Sequence, residues 1–210
     1  MESVKDGMEK VRKGKTQTDM IKKCNFQNPE AEYFYAHAPY SKFKVKYILT
    51  DDGKLINEYN EALGDHDYIS LLSREKYQIG TEIRAKFRFT GLGAPCLVFT
   101  DDIEEREDFP VYGLHFEVCI WKNGVNVWRV IPYPPRVERP IKATKLYFEE
   151  YSIPEEEIEC VVKFGKKSIT VITQGREFTV ENDEFPDTFR LGFTACEGYC
   201  EFSEFEISTK

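Results

Sequence analysis

One segment constrains this chain more than any other: Tyr112 to Ile131, YGLHFEVCIWKNGVNVWRVI. Two runs of alternating apolar residues flank Asn123-Gly124, a pair suited to a two-residue turn whose positions both need φ > 0. The pattern predicts a β-hairpin with Lys122 opposite Val125, Trp121 opposite Asn126 and Cys119 opposite Trp128. Side chains alternate along a strand. One face then carries Leu114, Phe116, Val118, Ile120, Val125, Val127 and Ile131, and reads as core. The other carries His115, Glu117, Cys119, Trp121, Asn126, Trp128 and Val130. It holds both tryptophans of the chain with an amide, a carboxylate and an imidazole. A solvated face of this composition can stack flat rings and hydrogen-bond hydroxyls, which is the chemistry of sugar binding; alternatively a short helix or loop covers this face and the tryptophans are structural packing. The register also puts Arg129 on the core face, where an unpaired charge is costly. Either Arg129 lies near a sheet edge, or the loop has three residues and residues 125–131 reverse their faces.

The remaining pattern is all-β from Tyr68 onward. Strands are expected at 68–72, 81–90, 96–100, 145–151, 159–164, 168–173, 177–180, 189–195 and 201–207. In 81–90 the alternation puts Ile83, Ala85, Phe87 and Phe89 inward and Arg84, Lys86 and Arg88 outward. Turns are expected at Gly165-Lys166 and Gln174-Gly175, and the proline-rich stretch 132–144 reads as a loop. Upstream, Phe43 to Leu49 is strand-like. Residues 1–24 read as a weak amphipathic helix with Val4, Met8, Val11 and Met20-Ile21 as apolar points. Short, regularly spaced strands without intervening helices predict a sandwich. The expected organisation is an N-terminal extension, 1–25, helical or irregular, and a single domain, 26–210.

Charge narrows the partners. A net charge of −8 makes nucleic acid a poor partner, because phosphate binding wants a basic stripe. A neutral oligosaccharide or polysaccharide fits an acidic chain. No run approaches the roughly 18 apolar residues of a membrane span. The first 24 residues lack the apolar core of a secretory signal, so the expectation is cytoplasmic, or extracellular where a leader has been trimmed. Nothing in the sequence sets an oligomeric state. The six cysteines fall mostly inside apolar strand patterns and read as buried thiols. Cys196 and Cys200 flank Gly198 in an expected hairpin and could be bridged in an oxidising compartment. Their spacing lacks the second pair that a zinc site needs.

Several segments together resemble the concanavalin A-like lectin/glucanase superfamily. They are DYISLLSREKY before the strand EIRAKFRF, the meander VVKFGKKSITVITQGREFTV, and the ending FRLGFTACEGYCEFSEFEI. The resemblance spans about residues 43–208. It implies a jelly-roll sandwich of two antiparallel sheets, with any ligand on a concave sheet face, as in the glycan-related bacterial domains of that superfamily.

The residues supply some of the required chemistry. Retaining glucanases of the superfamily carry two carboxylates on one strand, as Glu-x-Asp-x-Glu, at about 5–5.5 Å. No such run exists here; Glu181-Asn182-Asp183-Glu184 reads as a turn and Glu155-Glu156-Glu157 as a solvated loop. Asp101-Asp102 with Glu104-Glu105 reads first as a solvated acidic loop; its oxygens could also ligate a structural calcium, and no other cofactor is implied. The first expectation is therefore a non-catalytic carbohydrate-binding domain. Trp121 and Trp128 would be its stacking platforms, with Asn126, Glu117 and Arg88 reaching sugar hydroxyls. The alternative is a glycan hydrolase or lyase that uses Glu117 and His115 as an acid/base pair. A further alternative is an interaction domain with no sugar ligand.

Overall fold

The computed structural model describes residues 20–37, 46–57, 69–105, 110–132, 141–196 and 198–209. The strands are β1 (Met20–Lys23), β2 (Tyr33–His37), β3 (Ile48–Leu49), β4 (Leu55–Ile56), β5 (Ile69–Ser73) and β6 (Tyr77–Gln78). There follow β7 (Glu82–Thr90), β8 (Ala94–Thr100), β9 (Ile103–Glu104), β10 (Val111–Tyr112), β11 (His115–Trp121) and β12 (Gly124–Pro132). The last six are β13 (Ile141–Glu150), β14 (Ile158–Gly165), β15 (Ser168–Thr173), β16 (Arg176–Glu181), β17 (Thr188–Cys196) and β18 (Tyr199–Thr209).

They form two sheets. One runs β16-β15-β14-β7-β18-β4-β3, with β1 also on β18. The other runs β13-β12-β11-β8-β17-β5-β2-β10-β9, with β6 also on β17. The pairings are antiparallel except for one parallel contact of β10 with β2. This is the expected jelly-roll sandwich. The inward alternation of β7 is as read: Ile83, Ala85, Phe87 and Phe89 are buried. The core between the sheets is rich in phenylalanine. Phe99 stacks on Phe116 at 5.2 Å and meets Phe164 and Phe185 edge-on at 5.1 and 5.4 Å. Offset and edge-on contacts are the favoured aromatic geometries.

Three expectations change. Met20–Lys23 is a strand rather than the end of a helix. Its backbone groups pair with Glu206–Thr209 of β18, so the sandwich starts before residue 26. The tertiary edge outweighs weak helical spacing. The helix expected over 1–19 lies outside the described residues, as do residues 43–45 of the expected strand 43–49. After Pro140, the last proline of the expected loop, β13 is already a strand from Ile141. Finally, β17 and β18 are not a hairpin. The chain leaves one sheet at Cys196 and enters the other at Tyr199.

A two-residue turn with both φ positive closes a different hairpin from the one expected. Gln174 and Gly175 both have positive φ, +50° and +71°, and close β15–β16 between Thr173 and Arg176. Asn123-Gly124 does not form the corresponding loop. Trp121 pairs with Gly124, so the two loop residues are Lys122 and Asn123. Tertiary contacts select this turn: the amides of Tyr151 and Ile153 donate to the carbonyls of Asn123 and Lys122.

Candidate functional site

The hairpin register is displaced by two residues from the expected one. Glu117 faces Trp128 and Cys119 faces Asn126. Because the side-chain period is also two, every face assignment survives. Phe116, Val118, Ile120, Val125 and Val127 enter the inter-sheet core. His115, Glu117, Cys119, Trp121, Asn126 and Trp128 share the outer face of the ten-stranded sheet. Trp121 and Trp128 stand four residues apart along the paired strands, roughly 13 Å.

Cross-strand pairing extends the face in rows. One row runs Phe148, Asn126, Cys119, Cys96, Thr194, Ser70 and Ala36. The next runs Lys145, Trp128, Glu117, Val98, Gly192, Leu72 and Phe34. The middle of this face is dry, contrary to the solvated face expected from the hairpin alone. Ala36, Leu72, Ala94, Cys96, Val98, Cys119 and Cys196 form a second buried apolar cluster. Phe34, Ile103, Trp121 and Trp128 pack against it and are half-buried. The floor contributed by β8, β5 and β2 is apolar or small, so it favours burial over hydration.

Within this dry face the polar groups divide into paired and unpaired. His115 and Glu117, 2% and 6% exposed, lie with Nε2 and Oε1 3.3 Å apart. The other ring nitrogen, Nδ1, lies 2.9 Å from the Gly113 carbonyl, which can only accept, so Nδ1 carries a hydrogen. Gly113 is held by Asp102: the Asp102 carbonyl accepts the Gly113 amide, and its carboxylate accepts the Leu114 amide at 2.8 Å. A side chain at Gly113 would collide with that carboxylate. Part of the acidic loop considered for calcium thus serves as a backbone clamp. Among the described residues no group of three or more His, Cys, Asp or Glu side chains is arranged to hold a metal ion.

Two buried atoms lack hydrogen-bond partners on the same face: Nε1 of Trp121 and Oδ1 of Asn126, whose residue is 5% exposed. One is a donor and the other an acceptor. Each is an expense that native structures rarely leave unmet.

The sequence reading missed the flank. The register of β12 with β13 shifts between Val127 and Trp128, so Val127 faces Tyr147 while Trp128 faces Lys145. Leu146 is the extra residue. This bulge puts Lys145 and Phe148, three apart, on one face, where regular alternation would separate them. The Lys145 ammonium lies 5.1 Å from the Trp128 ring centre and 4.7 Å from that of Phe148. Phe148 is 36% exposed.

Arg88 does not join this site. It belongs to β7 and lies on the outer face of the eight-stranded sheet, 3.3 Å from Glu201. Alternation sets its outward direction but not which sheet it belongs to. Arg129 keeps its core-side parity without reversal of the strand, because both its Nε and Nη2 donate to the Glu184 carboxylate. That fork lowers the Glu184 pKa through its hydrogen bonds. No disulfide joins the cysteines: Cys96, Cys119 and Cys196 sit in the outer cluster, whereas Cys200 is in the inter-sheet core. The Cys196–Cys200 bridge is therefore absent, with the two residues in different layers.

No family model matches the sequence, and no curated protein sequence matches it. Solved structures do match in shape. A carbohydrate-binding module from Bacillus subtilis shares 10% identity at a TM-score of 0.54, covering 81% of this chain and 92% of its own. The kappa-carrageenase of Pseudoalteromonas carrageenovora, solved with an oligotetrasaccharide of kappa-carrageenan, shares 9% identity at 0.59, covering 97% and 99%. The β-glucanase of Bacillus licheniformis shares 12% at 0.50, covering 93% and 99%. At such identities the likeness is one of fold, and the chain is a concanavalin A-like jelly-roll sandwich.

Proposed function

We propose that this chain is a carbohydrate-binding domain that holds an oligosaccharide, without catalysis, along the β11–β12–β13 flank of the ten-stranded sheet. The observation that carries the reading is the pair of orphaned buried atoms, Trp121 Nε1 and Asn126 Oδ1, beside the half-buried ring of Trp128. A sugar hydroxyl both donates and accepts, so it can satisfy an indole N–H and an amide carbonyl together. The roughly 13 Å between the tryptophans calls for a ligand of several sugar rings. Structural neighbours that include a carbohydrate-binding module and glycan-cleaving enzymes support a glycan-related role.

The second reading is a glycan-active enzyme, favoured by the imidazole–carboxylate pair of His115 and Glu117. Against it, the ion-pair partner of Glu117 is an imidazole, whereas double displacement needs a second carboxylate. Mutual pairing also accounts for the burial of both groups.

A glycan array followed by calorimetry tests both. Trp128→Ala should abolish stacking and weaken binding at least about tenfold while the domain stays folded. Glu117→Gln should change affinity modestly, because the amide still hydrogen-bonds. If Glu117→Gln instead abolishes turnover of a bound glycan and leaves its affinity intact, the enzyme reading replaces this one. Binding to no glycan by the folded wild type would leave an interaction domain.

A further inference from the structure

The flank that binding is proposed to use carries a cation in an unusual setting. Several lysines here reach carboxylates: Lys22 to Glu75, Lys46 to Glu30, Lys54 to Glu201, Lys86 to Glu204. Lys145 does not. It is exposed, and among the described residues its ammonium meets no carboxylate and no other oxygen. Its company is the two ring faces of Trp128 and Phe148. The rings orient the ammonium and satisfy part of its charge, yet leave its three N–H donors free of protein acceptors. The bulge at Leu146 is what brings lysine and phenylalanine to the same side, and bulges re-aim side chains in this way beside sites.

We propose that Trp128, Lys145 and Phe148 form a subsite for an anionic sugar, one bearing a carboxylate or a sulfate ester. The inference rests on the glycan-binding reading and specifies its ligand class. The sugar ring lies on an aromatic face, and its acidic group takes the ammonium donors. The net charge of −8 argued for a neutral ligand, but charges spread over a surface are screened beyond a Debye length of about 8 Å. An ammonium touching the ligand is inside that length and decides the preference.

The test compares three tetrasaccharides by calorimetry at low and high salt: oligogalacturonate, a sulfated galactan fragment and a neutral galactan fragment. Wild type should bind at least one acidic tetrasaccharide about five- to tenfold more tightly than the neutral one, with the advantage shrinking as salt rises. The carboxylate and sulfate arms show which acid fits. Lys145→Gln should erase the acidic advantage, bringing acidic and neutral affinities within about twofold of each other, while Lys145→Arg should retain it. Equal affinity for acidic and neutral sugars, or an acidic preference untouched by Lys145→Gln, overturns the inference and leaves the glycan-binding reading standing. Binding to none of the three by the folded wild type, in line with an empty glycan array, overturns both.

Discussion

Asn126→Leu should make the unliganded protein more stable. In the wild type Oδ1 of Asn126 is buried without a hydrogen-bond partner, and its cross-strand neighbours are Cys119 and Phe148. An unmet buried acceptor costs about 1–3 kcal/mol. Leucine is close in size, removes that penalty and adds apolar contact, less some strain from its different branching. A net gain of about 1–2 kcal/mol follows. For a domain of this length 1 kcal/mol moves the melting midpoint by roughly 2–4 °C, so the shift should be about +2 to +8 °C. Calorimetry of the wild type, Asn126→Leu and Asn126→Val measures it, the valine variant guarding against overpacking. Saturating glycan should then raise the wild-type midpoint and not that of the variants, because only a ligand that binds contributes to stability. If both variants lose more than about 1 kcal/mol, the amide makes a hydrogen bond in the free protein and the argument for the site fails.

Phe99→Ala removes the ring that Phe116, Phe164 and Phe185 share, and should lower stability by ~3–5 kcal/mol in urea titration; a loss under ~2 kcal/mol would show that the cluster closes over the gap. The Glu204 carboxyl is held down at about 2 by a hydrogen bond shared with Glu206, then by Lys86 and Lys23, against an ordinary 4.5. A depressed folded value stabilises above the unfolded one, so that contribution is present above pH 4.5 and fades as pH falls toward 2. Glu204→Gln should flatten the acid limb of the stability curve in that window, and superimposable curves would refute the assignment. Cys24 is the one half-buried thiol of the six, and burial pushes it up to about 12. An aromatic disulfide reagent at pH 8 should therefore react slowly with the native chain, Cys24 first, and rapidly with all six in denaturant. Fast native labelling of Cys96 or Cys119 would contradict the buried outer cluster.

Much of the fold was legible in the chain because strand alternation survives local error. The hairpin at 115–132 is shifted by two residues, yet its core and outer sets are those read from the sequence. The same logic explains what was missed. Alternation states that Arg88 points outward, but membership of a sheet depends on pairing with β18 and β14, which lie far along the chain. Lys145 and Phe148 share a face only through a bulge, and no residue in KLYF signals one. The dryness of the outer face is set by Ala36, Leu72 and Val98, contributed by strands remote from the hairpin in sequence. The pairing of His115 with Glu117 was legible, since residues two apart on a strand share a side; that each would be buried was not.

The crossing of the chain between sheets at residues 196–199 has a consequence for how the protein assembles. β17 joins β8 to β5 in one sheet, and β18 joins β7 to β4 and β1 in the other. Both sheets are therefore broken apart until residues 188–209 arrive. A chain ending at residue 187 has four multi-strand fragments, with β1 and β6 lacking the strands they pair with, and each fragment has an uncovered edge able to recruit a neighbouring molecule. Assembly must wait for contacts between distant parts of the sequence, which makes it slow and leaves those edges open for its duration. The order of synthesis thus works against this architecture, and its most vulnerable moment is the interval before its last two strands are inserted.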